Sequence, residues 1–72
     1  MTAQEAISNA YAAGANTAVC QRKRDQSGVT FHREHFQRFR NLYKNLPGLQ
    51  PSELDLHYSE GYRDEMHGLQ VD

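Results

Sequence analysis

At 72 residues the chain has room for one domain with a thin core, and only thirteen of its residues are Leu, Ile, Val or Phe. Its single cysteine, Cys20, excludes an internal disulfide and fits a reducing, cytoplasmic setting, and no apolar run approaches the roughly 18 residues of a membrane span. The net charge of −1 conceals a division: residues 1–50 hold seven of eight Lys/Arg but three of nine Asp/Glu, whereas residues 51–72 hold one Arg and six acids.

The first element starts at a capping-box pattern, Thr2 with Glu5, and the helix predicted from it runs over about residues 2–24. The chain opens with Thr2, Gln4 and Glu5, without the basic and apolar stretches of a signal peptide. Seven alanines between Ala3 and Ala18 favour helix. Ala6, Ala10, Gly14 and Ala18 recur every four residues, a row small enough for another backbone to approach closely. Asp25–Gly28 reads as a loop.

A second helix is predicted over about residues 30–46, ending at Pro47-Gly48. Phe31, His35, Phe39, Leu42 and Leu46 follow a helical period that predicts its buried face, with Phe36 and Tyr43 alongside. Phe36, Phe39 and Leu42 are expected in the core with Leu54 and Tyr62 of the helix that follows. Arg33, Gln37, Arg40 and Lys44 mark a basic polar face, with Arg38 beside it. A third helix is predicted over about residues 52–67, from Ser52 and Asp55 to Gly68 as a left-handed cap with Leu69 folding back. Its apolar stripe is Leu54, Tyr58, Tyr62 and Met66; its polar face carries Glu53, Glu60 and Asp64 along with His57.

These elements predict an all-α fold, a single domain over residues 1–72 built as a bundle of about three helices. Burial of apolar surface at roughly 25 cal/mol per Å² must offset about 1.5 kcal/mol of entropy per ordered residue. So few large side chains leave that balance close to zero, which predicts completion by homodimerisation through Ala6, Ala10, Gly14 and Ala18.

Chemistry is sparse. His32 and His35 are three apart, whereas a helical zinc pair with an intervening Glu needs four, so His35 reads as semi-buried and His32 as solvated. Cys20 precedes Arg22, Lys23 and Arg24, but it lies near a helix C-terminus, where the dipole disfavours a thiolate. No glycine-rich phosphate loop is present. No catalytic, metal or cofactor residue is assigned, and the chain is not expected to be an enzyme.

The stretch His57–Gly68, H-Y-S-E-G-Y-R-D-E-M-H-G, resembles in texture the G-Y-x-D/E segments of small phage and prophage proteins. The resemblance covers twelve residues and implies an accessory protein of a mobile element, with no role attached to any residue. The expected function is a small regulator or inhibitor that binds a protein partner through Arg33, Gln37, Arg40 and Lys44 or through Glu53, Glu60 and Asp64. The alternative is a nucleic-acid-binding regulator that lays the basic face of the second helix along phosphates.

Overall fold

A computed structural model describes the backbone of residues 1–71 and the side chains of residues 1–68. It contains three helices: α1 over Ala3–Arg22, α2 over Gln26–Tyr43 and α3 over Pro51–Val71. No strand occurs among the described residues.

Local chemistry accounts for each boundary. Thr2 Oγ1 accepts the Glu5 N–H at 3.2 Å, and Glu5 Oε1 accepts the Thr2 N–H at 2.9 Å. Two otherwise orphaned donors of α1 are thereby satisfied. The backbone N–H of Thr2 foremost, and then the Thr2 hydroxyl, hold the Glu5 carboxyl below its ordinary pKa. At the other end the Asp25 N–H reaches Cys20 O at 2.9 Å and the Arg24 N–H reaches Gln21 O at 3.1 Å. This is a Schellman turn, and Arg24 occupies its left-handed position with φ 58°. A side chain there costs about 1 kcal/mol that glycine would avoid.

The turn is complete by Asp25, whose carboxylate then accepts the Gly28 N–H at 3.0 Å as the cap of α2. Residues expected to form a loop therefore make the first turn of α2, and the helix starts at Gln26 instead of near Thr30. It stops at Tyr43, short of Leu46, because Pro47 disfavours helical geometry in the residue before it. Leu46–Leu49 instead form a tight turn closed by a 3.1 Å bond from the Leu49 N–H to Leu46 O. Gly48 takes φ 76° at its third position, which demands glycine. The turn buries Leu49 and half-buries Leu46.

Pro51 opens α3, and the Glu53 carboxylate accepts the Gln50 N–H at 3.3 Å, the role expected of the Ser52–Asp55 pair. The helix continues through Gly68, so that glycine is not a left-handed cap. The side chain of Leu69 lies outside the described residues.

Helix α1 is the hub. Ala6, Ala10 and Ala18 are inaccessible to solvent and Gly14 is buried. A Cβ placed on Gly14 would overlap the Tyr58 carbonyl, 2.8 Å from its carbon and 3.0 Å from Tyr62 N. A Cβ on Gly61 would overlap the Tyr11 carbonyl in the same way, 2.9 Å from its carbon. Each of the two glycines thus lies directly against the backbone of the facing helix. Each costs about 1 kcal/mol in helix propensity relative to alanine, which the close crossing offsets. Leu54 near one end of the crossing, clustered with Ala6 and Ala10, and the Arg22–Glu65 ion pair near the other show that α1 and α3 run in the same direction.

The small row on α1 is therefore covered by the chain's own third helix. Ala6, Ala10, Gly14 and Ala18 are not a surface open to a second copy, which corrects the expectation drawn from their spacing. A small residue every fourth position specifies a close neighbour without saying whether that neighbour lies in the same chain.

The core gathers Ala6, Ala10, Phe36, Leu49 and Leu54. Phe36 of α2 stacks on Tyr58 of α3 with ring centroids 4.3 Å apart. Beside it the Thr17 hydroxyl, itself buried, donates to Ala13 O at 2.8 Å. Its one proton is thereby committed, so in the 2.7 Å contact between Thr17 Oγ1 and the Tyr58 hydroxyl it is Tyr58 that donates.

Helix α2 is turned differently from the expected register. Phe36 is buried and Phe39 half-buried as expected, and Val29 is buried as well, whereas Phe31 and Leu42, expected on the inner face, are 57% and 74% exposed. His35 is exposed and His32 half-buried, the reverse of the expectation. The apolar sector of α2 is wider than the strip its neighbours can cover. The Cα positions span 38 × 25 × 16 Å, so with side chains added the molecule is about two helices thick along its shortest axis.

Candidate functional site

The carboxylates of α3 find partners within the chain. Glu53 caps its own helix. Asp55 Oδ1 lies 2.8 Å from Arg40 Nε, although that N–H is not aimed at the oxygen, so the contact is a charge pair without a hydrogen bond. Glu60 lies 3.4 Å from His57 Nδ1, and Glu65 pairs with Arg22. Asp64 accepts the Tyr11 hydroxyl at 2.6 Å, and this bond to a carboxylate raises the Tyr11 pKa. Every carboxylate on α3 thus has a partner within the chain.

Most of the cations do not. Among the described residues Lys23, Arg24, Arg33, Arg38, Lys44 and Arg63 have no carboxylate within 4.0 Å. Of the expected basic face, Arg33, Gln37 and Lys44 are exposed, and Arg40 is half-buried against Asp55. Of the expected acidic face, Glu53, Glu60 and Asp64 all make the internal contacts just described. The two faces do not oppose each other as blocks; Arg40 with Asp55 is the one ion pair between α2 and α3 among the described residues.

Between α1 and the outer side of α2 lies an open groove of about 660 Å³. Phe31, Phe39 and Leu42 supply its apolar wall from α2, Ala12 and Ala13 its wall from α1. Phe31 is held in place by neighbours on its own helix, with His35 stacked 6.0 Å away and the edge of His32 at 5.2 Å. Arg38 is the groove's one Lys or Arg, and none of its lining residues carries a carboxylate. An apolar floor with a positive rim can accept an apolar ridge flanked by acids.

Periodicity identified Phe31, His35, Phe39 and Leu42 as a stripe but assigned them to the core. The signal that could have corrected this is the count of buried positions that two neighbours demand. Three helices of this length cannot enclose every apolar residue on α2. Arg63, by contrast, carries no sequence signal, since it stands alone among the acids of α3.

Elsewhere, Cys20 is a free, half-buried thiol near the turn into α2. Among the described residues no three His, Cys, Asp or Glu side chains gather where they could hold a metal ion. No described helix is long and apolar enough to cross a membrane. Comparison with known protein families, with characterised proteins and with solved structures finds no match to this chain.

Proposed function

We propose that the protein is a small, non-enzymatic regulator that acts in the cytoplasm by binding a protein partner through the α1–α2 groove. The observation that carries this reading is the exposure of Phe31 and Leu42 beside that groove, 57% and 74% respectively. Large apolar side chains grouped on one face mark an interaction surface more often than isolated ones do. The occupant best matched to it is an amphipathic helix with apolar anchors and acidic flanks, because the groove's rim bears Arg38 and no carboxylate. Inhibition follows naturally if that helix belongs to a functional surface of the partner, as for an accessory protein of a mobile element.

A homodimer is the poorer occupant. Two copies paired through this face would bring two Arg38 side chains onto grooves without a carboxylate lining, a like-charge arrangement that disfavours association. A second reading, nucleic-acid binding, is favoured by Lys23, Arg24, Arg33, Arg38 and Lys44, which have no carboxylate partner among the described residues.

The test is selection of a library of helical peptides against the full chain, repeated with the Phe31→Ser/Leu42→Ser variant. The parent is expected to enrich peptides with apolar residues at i, i+4 and i+7 and acids alongside, and the variant to lose them. Enrichment unaffected by the double substitution would remove the groove from the reading. A gel shift with DNA or RNA that collapses with rising salt, and is lost on reversing Arg33, Arg38 and Lys44, would favour the second reading.

A further inference from the structure

The opposite side of α2 faces a different space. Helices α2 and α3 meet at Phe36–Tyr58 and at Arg40–Asp55, and beside these contacts they splay to leave a cleft of about 530 Å³. Arg33 of α2 and Arg63 of α3 line it from facing helices. Tyr62, Met66 and Ser59 line the α3 side, with Thr17 and Tyr58 also in the lining. An adjoining recess of about 410 Å³ shares Arg33, Tyr58 and Ser59.

Three features make this a site with a chemical preference. No carboxylate lines the cleft, and Asp55 in the adjoining recess already faces Arg40. Two guanidinium groups that share a cleft without a counter-charge repel each other, and an anion between them removes that repulsion. The Arg fork suits a phosphate or carboxylate, which it can hold through two parallel N–H bonds. The cleft is also preformed on one side: Tyr58 is fixed by its stack on Phe36 and its bond to Thr17. Finally, Tyr62 and Met66 offer a polarizable wall against which a flat ring can lie. The volume falls within the range of small-ligand pockets.

We propose that the α2–α3 cleft binds a small phosphomonoester carried on a flat ring, the phosphate between Arg33 and Arg63 and the ring against Tyr62 and Met66. The phosphate could belong to a free nucleotide or to the end of a strand, since the cleft would read the same terminal group in both. This site is distinct from the α1–α2 groove, and the two can succeed or fail separately.

Titration calorimetry of the full chain with phenyl phosphate, adenosine monophosphate, a 5′-phosphorylated trinucleotide and inorganic phosphate tests the proposal. Saturable binding of phenyl phosphate and adenosine monophosphate is expected, at least tenfold tighter than inorganic phosphate. Binding of the trinucleotide as tightly as the monophosphate would identify a strand end as the source, and its exclusion a free nucleotide; either supports the site. Arg33→Gln and Arg63→Gln should each weaken binding about tenfold or more with an unchanged melt, because both side chains are exposed. Tyr62→Leu should weaken the ring-bearing ligands and leave inorganic phosphate unaffected. Arg38→Gln, on the other side of α2, should change nothing. Absence of saturable binding at millimolar ligand would overturn the proposal, as would an Arg38→Gln effect equal to that of Arg63→Gln.

Discussion

The two sides of α1 are packed by opposite means. Toward α3 the side chains are removed, and Gly14 and Gly61 let the backbones touch. Toward α2 the contact is made by side chains, and much of the apolar surface of α2 stays outside it. The first interface tolerates no added atom, because the obstacle to a Cβ is a carbonyl that cannot rotate away. The second leaves grooves on both sides of α2. In a bundle this small, close packing on one face of the hub defines the fold while loose packing on the other leaves apolar surface uncovered.

Breaking the tight side should have the largest effect. Gly14→Leu or Gly61→Leu must push α1 and α3 apart along their shared crossing. The expected cost is about 3 kcal/mol or more, the upper end for overpacking, partly because backbone does the resisting. A domain of this size holds on the order of 4–11 kcal/mol in total, so loss of the cooperative melt by circular dichroism is the expected result. A melt like the parent's would show that the two glycines do not lie against the facing backbone. Had the small row served a second copy, the same variants would dissociate a dimer and leave a folded monomer, which sedimentation would distinguish.

Phe36 joins the two interfaces, since it sits in the core and stacks on Tyr58. Phe36→Ala should cost about 3–4 kcal/mol, and its measurement by chemical denaturation compares the α2 contact directly with the glycine crossing. A loss below about 1 kcal/mol would mean that α2 contributes little to the folded state. Arg24→Gly acts in the other direction. It relieves the left-handed turn that joins α1 to α2 and should raise stability by up to about 1 kcal/mol, read as a higher melting temperature. An unchanged or lower value would contradict that geometry.

On the loose side, Phe31→Ser and Leu42→Ser should each change stability by less than about 0.5 kcal/mol, because neither side chain is enclosed. A loss of 2 kcal/mol, the order expected of a buried side chain, would place them in the core after all. The smallest expected effect concerns the Tyr11–Asp64 bond at the edge of the tight interface. Asp64 raises the Tyr11 pKa above its ordinary 10.0 in the folded chain. The contribution of that bond is complete below pH 10 and is lost as pH rises through the raised value. Tyr11→Phe should therefore remove one component of alkaline destabilisation. An identical alkaline limb in the two proteins would show that the hydroxyl does not meet Asp64.

Some features were legible because they depend on neighbours in the chain. Thr2 and Glu5 close a capping box wherever the helix goes, and Pro47-Gly48 stops α2 in any fold. The all-helical character follows from such local preferences. Gly61, which lowers helix propensity, has a packing reason, since it is where α1 passes. The loop expected at residues 25–28 was misplaced because Arg24, which has no special propensity for the left-handed turn, took the position that glycine usually holds.

By itself, then, the sequence determined three helices, their principal stops and a row on α1 that required a close neighbour. Only the tertiary structure decided that this neighbour is α3, which of two apolar strips on α2 is buried, and where each charge finds its partner. The physical reason is range. Caps and helical periods are set within a few residues, whereas the Gly14–Gly61 crossing, the Tyr11–Asp64 bond and the facing pair Arg33 and Arg63 join residues some 30 to 50 positions apart. A helical period shows which residues share a face, but the shape and number of the neighbouring helices determine how much of that face is covered.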